Sequence, residues 1–213
     1  MAAIVSFVSP HFPLRAPQEF YTLYAEADFD LEPQQLPDHP EIRNLARFFD
    51  YERHFTAQTK HAAMAGYFGL TSFLDDCVGE ILATLEESGQ AEDTVILYLS
   101  DHGELLGDKG MWTKQVMYEA SAGIPMILAG PGVPDGIVRN TAASIVDVAA
   151  TALDVMLDTS DDSAPGLSLR QLAQDPDDTD RTVLCEYHDG GSTTGAFMAV
   201  SYTHLRAHET RNY

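Results

Sequence analysis

Apolar positions along the chain follow two different periods, and together they predict an α/β fold. Between Met64 and Leu85 the apolar residues recur every three or four positions, which is typical of an amphipathic helix, and Gly89 is suited to end it. A second helical pattern runs from Ser144 to about Leu157. Its expected inward residues are Val148, Ala149, Ala152, Val155 and Met156. Short apolar runs predict buried strands at residues 3–8, 94–99 and 125–129, the run 94–99 as a parallel strand. Helices that alternate with strands favour layered α/β architecture.

The pattern changes after residue 157. Residues 158–182 are acidic and polar, and they predict a solvated linker; the run 175–180 resembles a calcium loop but lacks the glycine and the closing glutamate that such a loop needs. Strand-like runs at 183–187 and 196–200 predict that residues 183–200 begin a small α+β subdomain. Residues 201–213 show no apolar periodicity, and we expect them to be a non-native tail.

The charge balance narrows the classes of partner. The chain has 33 acidic and 12 basic residues, a net charge of −21, which argues against nucleic acid and anionic membranes as partners. An anionic substrate would therefore need a local positive site made by a metal, a lysine or a histidine. No apolar run reaches membrane-spanning length, and the first residues do not resemble a signal peptide. The sequence is compatible with either a bacterial cytoplasm or a bacterial periplasm. It does not determine the oligomeric state.

The sequence Asp101-His102-Gly103 directly follows the predicted strand 94–99 and is the first candidate for chemistry. Ligand sites of open α/β sheets lie at the carboxyl ends of strands. A carboxylate and an imidazole next to each other can bind one divalent cation if the backbone turns sharply, which Gly103 permits. The alternative is a strand end at which Asp101 only caps the turn and His102 is merely nearby. For this pair alone, the alternative is favoured.

Three motifs in a fixed order reverse that preference: Ser-Pro-His-Phe-Pro at 9–13, Ser-Asp-His-Gly at 100–103, and Gly-Met-Trp-Thr-Lys-Gln at 110–115 followed by Tyr118-Glu119. Each is weak alone, because His11 could be an ordinary loop histidine and Lys114 a surface lysine. Their order and spacing resemble the sulfatase family of the alkaline-phosphatase superfamily. The resemblance covers roughly residues 1–200. Its further segments are 73–79 in the predicted long helix, 93–96, 106–110, 124–127, 130–133, 144–148 and 165–169.

The resemblance implies a partial alkaline-phosphatase-like sandwich, in which helices flank a mixed sheet and residues 1–157 form the C-terminal half of the catalytic core. It implies that Asp101 and His102 are metal ligands. An Asp-His pair in place of Asp-Asn is similar to choline-sulfatase-like and phosphonate-monoesterase-like members. The implied cofactor is a divalent metal, Ca²⁺ first, with Mg²⁺ or Mn²⁺ as alternatives.

The resemblance also implies roles for three side chains that would contact a small-molecule sulfate ester. Lys114 matches the lysine that contacts the ester oxygens, and His11 matches the histidine near the sulfate and the leaving oxygen. His188 resembles a substrate-pocket position in some members. An ammonium stabilises charge on the transferred group, while an imidazole can protonate the departing oxygen.

The departures from the family pattern set a limit. The family's nucleophile is a formylglycine made from Cys or Ser in a Cys-x-Pro-x-Arg type of motif, and neither Cys77 nor Cys185 stands in one. The early Asp-Asp metal pair of the family is absent as well. We therefore expect a fragment of a sulfate monoester hydrolase that is inactive alone. The alternatives are a phosphonate or phosphate monoester hydrolase of the same superfamily and a non-catalytic acidic interaction module.

Overall fold

The computed structural model describes residues 2–30, 34–157, 165–188 and 195–200, which fall into two compact units. The helical unit comprises Ala3–Gln90 and Glu104–Thr113. The strand unit comprises Ala2, Ala91–Gly103 and the described residues from Lys114 onward. No helix in these described ranges combines the length and the apolar character that crossing a membrane requires.

The helical unit is built on one long helix. Its helices are α1 (Gln18–Thr22), α2 (Pro40–Phe49), α3 (Tyr51–His54) and α4 (Ala57–Glu87). The periodic stretch from Met64 to Leu85 lies within α4, and Gly89 follows the helix end with a φ of +70°, so the predicted helix and its glycine stop are confirmed. α1 packs closely on α4, because a Cβ at Gly69 would lie 3.1 Å from the Phe20 carbonyl oxygen.

An aromatic core in the same unit fixes the residues that precede Lys114. The Trp112 ring stacks on Phe55 with centroids 4.1 Å apart, and the Tyr51 hydroxyl donates a hydrogen bond of 2.8 Å to the Trp112 carbonyl oxygen. Met111 is fully buried and Trp112 nearly so. The backbone of residues 111–112 is therefore held by packing and by a buried hydrogen bond.

The strand unit contains two antiparallel strand pairs. β1 (Ile96–Leu99) pairs with β2 (Met126–Ala129), from Ile96 opposite Ala129 to Leu99 opposite Met126. The predicted strands 94–99 and 125–129 are thus confirmed as strands, but the prediction that 94–99 is a buried parallel strand is wrong: its described pairing is antiparallel and its residues are half-buried. An apolar run indicates a strand but does not encode the direction of its partner.

The second pair of this unit is formed by β3 (Val183–His188) and β4 (Gly195–Val200), in register from Val183 opposite Val200 to His188 opposite Gly195. Both strands were expected from the sequence and are confirmed. Residues 201–213, the expected non-native tail, lie outside the described residues. The domain boundaries stay predictions.

The prediction of a strand at residues 3–8 is wrong. These residues form no strand in the structure, and the side chains of Ile4 and Val8 are 95% and 81% exposed. None of the described strands pairs with this segment. A strand needs a hydrogen-bonded neighbour to be stable, so the apolar pattern alone does not produce one.

Helix α6 (Val146–Leu157) buries a polar face instead of the predicted apolar one. Ala149, Ala152 and Met156 are exposed, whereas Asp147 is completely buried and Thr151 is 3% exposed. The inward face predicted for those three residues is therefore wrong. The reason is that hydrogen-bond donors far along the chain pair with Asp147 and Thr151, and the apolar period gives no sign of them.

Those donors come from the segment that follows, part of the predicted acidic linker. The Asp147 carboxylate accepts hydrogen bonds from the Leu167 backbone N–H at 2.9 Å and from the Arg181 guanidinium at 2.6 Å. The Thr151 hydroxyl oxygen accepts one from the Leu169 N–H at 2.8 Å. Residues 165–182 contain helix α7 (Leu169–Gln174), and its Leu169 is buried.

A second carboxylate of α6, Asp154, makes the stability of this unit depend on pH. Arg170 donates to it at 3.0 and 2.5 Å and the Ser168 hydroxyl at 2.5 Å, and the Arg170 hydrogen bonds in particular hold the pKa of Asp154 below its usual range. A lowered folded-state pKa stabilises the fold above the unfolded pKa, and the benefit disappears as pH falls through the folded value. We expect Asp154→Ala to lower the free energy of unfolding at neutral pH, with the gap to wild type closing in acid.

Urea unfolding of both proteins from neutral pH to about pH 2 measures that gap. Asp135→Ala, at an exposed carboxylate of the same unit, is the control and should show little gap at any pH. A gap between wild type and Asp154→Ala that stays constant into acid would contradict the assignment.

Candidate active site

A tight turn after β1 orients Asp101 and His102. The Ser100 hydroxyl donates a hydrogen bond of 2.9 Å to the carbonyl oxygen of His102, and Oδ1 of Asp101 accepts one of 3.0 Å from the His102 N–H. Asp101 therefore does cap the turn, as the simpler alternative expected. Its other oxygen, Oδ2, lies 3.4 Å from Nε2 of His102, so the cap and the pairing with the imidazole coexist.

The hydrogen bonds of the His102 ring define its tautomer. Nδ1 lies 2.8 Å from the carbonyl oxygen of Gly103. A carbonyl oxygen only accepts, so this partner assigns the proton to Nδ1 and leaves the lone pair of the neutral ring on Nε2. Nε2 is thus the atom of His102 that can bind a cation.

Lys114 reaches the same atom. Its Nζ lies 2.8 Å from Nε2 of His102, and because an ammonium only donates, the imidazole nitrogen accepts. The backbone on either side of Lys114 is left-handed, with φ of +71° at Thr113 and +85° at Gln115. Such φ values are costly for residues with a Cβ, above all for a β-branched one, and strained backbone of this kind clusters at functional sites.

The turn and the segment after Lys114 are joined through Gly103. Its N–H donates a hydrogen bond of 2.8 Å to the carbonyl oxygen of Ser121, which lies in helix α5 (Glu119–Ala122). A Cβ at position 103 would lie 2.2 Å from the Ala120 carbonyl oxygen. Glycine is therefore required here by close backbone approach, in addition to the turn for which the sequence singled it out.

The structure brings Asp101, His102 and Lys114 together within the strand unit. His11 belongs to the helical unit, where its Nδ1 lies 2.8 Å from the Phe12 carbonyl oxygen and its ring is tilted against that of Phe12. His188 is the last residue of β3, and its side chain lies outside what the structure describes. Ser100 belongs to the motif at 100–103, but no role was predicted for it, although serine hydroxyls often stabilise turns.

Two donor atoms suit a divalent cation at this place. Asp101 Oδ2 and His102 Nε2 lie 3.4 Å apart, close enough that both could bind one divalent ion. Within the described residues no group of three or more His, Cys, Asp or Glu side chains is arranged to hold a metal. Asp101 and His102 alone would therefore supply only part of the ligands that a divalent cation takes.

Comparison with known proteins gives one consistent family. Residues 2–159 match the family model described as Sulfatase. The choline-sulfatase of Rhizobium meliloti is 33% identical over 192 residues, and the arylsulfatase of Clostridium perfringens is 28% identical over 210 residues. The phosphonate monoester hydrolase from Silicibacter pomeroyi superposes with a TM-score of 0.72 at 30% identity over 83% of this chain. This likeness confirms the expected partial alkaline-phosphatase-like α/β fold.

The matches differ in how much of each protein they include. The two curated relatives are matched over 86% and 92% of this chain but over only 37% and 42% of their own lengths. The phosphonate monoester hydrolase structure is covered to 38%. This chain thus spans about two-fifths of the length of such proteins.

Proposed function

We propose, because this chain belongs to the sulfatase family, that it supplies part of the active site of a metal-dependent sulfuric ester hydrolase. The observation that carries the proposal is the cluster of Asp101, His102 and Lys114, in which a carboxylate, an imidazole with a defined tautomer and an ammonium meet at distances of 2.8 to 3.4 Å. In a chain with a net charge of −21, a local cation is what an anionic ester requires.

Asp101 and His102 hold the divalent cation in this proposal. Ca²⁺ is the first candidate, with Mg²⁺ or Mn²⁺ as alternatives. Such cations take more ligands than these two residues supply, so other groups complete the site. A bound cation supplies charge stabilisation to the sulfate oxygens. The Gly103 carbonyl keeps the proton on Nδ1 of His102, and the Ser100 hydroxyl holds the turn, so both donor atoms are preorganised.

Three further residues are proposed to contact the ester, a small-molecule sulfate. Lys114 binds the ester oxygens through its ammonium and stabilises the charge that develops on the transferred group. His11 donates a proton or a hydrogen bond to the leaving oxygen. His188 contributes to the substrate pocket.

In this proposal, the nucleophile is not one of the 213 residues of this chain. The sequences that follow the two cysteines, Val-Gly-Glu after Cys77 and Glu-Tyr-His after Cys185, do not fit a formylglycine motif. We predict that purified chain 1–213 does not hydrolyse an aryl sulfate with Ca²⁺, Mg²⁺ or Mn²⁺ present, measured as release of the phenol. Metal-dependent turnover that His102→Phe removes would contradict this.

A joined protein tests the reaction class. In it, this chain replaces the matching portion of the Rhizobium meliloti choline-sulfatase, and the remainder of that relative is kept. We expect the joined protein to hydrolyse sulfate monoesters with a higher kcat/KM than phosphonate monoesters. The reverse preference would support the second candidate, a phosphonate monoester hydrolase, which the structural likeness at a TM-score of 0.72 favours. Failure to hydrolyse either ester by a folded joined protein would support a non-catalytic module.

A further inference from the structure

The hydrogen bond between Lys114 and His102 bears on how a metal enters the site. The neutral imidazole of His102 has one lone pair, on Nε2, because Nδ1 donates its hydrogen to the Gly103 carbonyl oxygen. Lys114 donates to that lone pair at 2.8 Å. A metal ion bound by His102 would need the same lone pair, so the hydrogen bond and the coordination bond exclude each other.

We propose that Lys114 and a divalent cation exchange at Nε2 of His102, so that metal binding releases the Lys114 ammonium toward an anionic ligand. This inference rests on the proposed function, since it takes Asp101 and His102 as ligands. Electrostatic repulsion also opposes simultaneous binding of the two, because an ammonium within hydrogen-bond distance of a ligand atom repels an incoming cation.

The exchange requires movement of the Lys114 side chain only, because the main chain around it is held in place. The Leu105 N–H donates a hydrogen bond of 2.8 Å to the Thr113 carbonyl oxygen just before Lys114, and the Gly103 N–H to Ser121 hydrogen bond holds the following segment on the turn. Lysine has four rotatable side-chain bonds and can redirect its ammonium without moving these anchors. Metal and anion binding are thereby coupled: each favours the arrangement in which Lys114 has left His102.

Mn²⁺ affinity of the full chain 1–213 tests the exchange. We expect Lys114→Met, which removes both the donor and the charge, to bind Mn²⁺ about tenfold more tightly than wild type, measured by electron paramagnetic resonance of the free ion. Lys60→Met, on α4 of the helical unit, makes the same chemical change and should leave the affinity unchanged. Equal affinity of Lys114→Met and Lys60→Met, including no measurable binding in either, overturns the exchange.

Nuclear magnetic resonance of the lysine ammonium groups separates exchange from loss of charge alone. Titration of wild type with diamagnetic Ca²⁺ should shift the Lys114 ammonium signal and increase its hydrogen exchange with water, while the Lys60 signal stays constant. A Lys114 signal that does not respond at any Ca²⁺ concentration overturns the exchange, even if Lys114→Met binds Mn²⁺ more tightly.

The double variant Lys114→Met/His102→Phe distinguishes this inference from the function on which it rests. Loss of the added Mn²⁺ affinity in the double variant supports both the ligand pair and the exchange. If the added affinity survives, the ion binds elsewhere, and the ligand pair and the exchange both fail. If Lys114→Met adds nothing while His102→Phe weakens binding to otherwise wild-type chain, the pair stands and only the exchange fails.

Discussion

Replacement of Asp147 by alanine is expected to lower the free energy of unfolding of the strand unit by about 3–5 kcal/mol. The Asp147 side chain is fully buried and forms an ion pair with Arg181 at 2.6 Å. It also accepts hydrogen bonds from the backbone N–H groups of Ser144 at 2.8 Å and Leu167 at 2.9 Å. Alanine would leave a mostly buried guanidinium and two N–H groups without this acceptor, and unpaired buried groups carry their full desolvation cost.

Urea unfolding of wild type and Asp147→Ala at neutral pH measures this loss. Asp177→Ala is the matched control, because its carboxylate also accepts two hydrogen bonds, both from Asn140, but lies exposed at the surface. Asp147→Asn should fall between the two, since it keeps an acceptor oxygen and loses the charge. A loss for Asp147→Ala no larger than that for Asp177→Ala would show that the buried network is not what joins α6 to residues 165–182.

Replacement of Lys114 by methionine in the joined protein is expected to lower kcat/KM for a sulfate ester by about 10²–10³-fold. The ammonium is the group of the cluster that can donate to ester oxygens as their charge increases, and methionine is also unbranched, one atom shorter, and donates nothing. Steady-state kinetics on an aryl sulfate measure the loss. Lys60→Met removes the same charge away from the cluster, and an equal fall in both variants would remove Lys114 from the site.

Local patterns in the sequence correctly predicted whether a segment is a helix or a strand, where neighbouring residues alone determine this. The three- and four-residue period in α4 and the apolar runs of β1 to β4 predicted the right element types, since burial of one face or one run determines them. The direction of β1 was wrong, because direction depends on a partner 27 or more residues away. The inward face of α6 was wrong because Arg181, 34 residues from Asp147, makes a carboxylate the buried residue.

The candidate site divides in the same way. Asp101, His102 and Lys114 could be selected from their residue types and their order along the chain, and the structure brings these three together. The shared Nε2 atom could not be predicted, because it depends on the tautomer that the Gly103 carbonyl imposes and on the left-handed backbone around Lys114. The contribution of Ser100 could not be predicted either, because its hydroxyl can donate to the His102 carbonyl oxygen only once the turn has formed.

Metal dependence of sulfate ester hydrolysis in the joined protein is the most direct test of the central claim that Asp101 and His102 hold a catalytic cation. The measurement compares kcat/KM of the joined protein and its His102→Phe variant, each after chelation and after restoring Ca²⁺, Mg²⁺ or Mn²⁺. We expect chelation to abolish turnover, a divalent cation to restore it, and His102→Phe to prevent that restoration. Turnover that survives chelation, or that a cation restores equally well in His102→Phe, would contradict it.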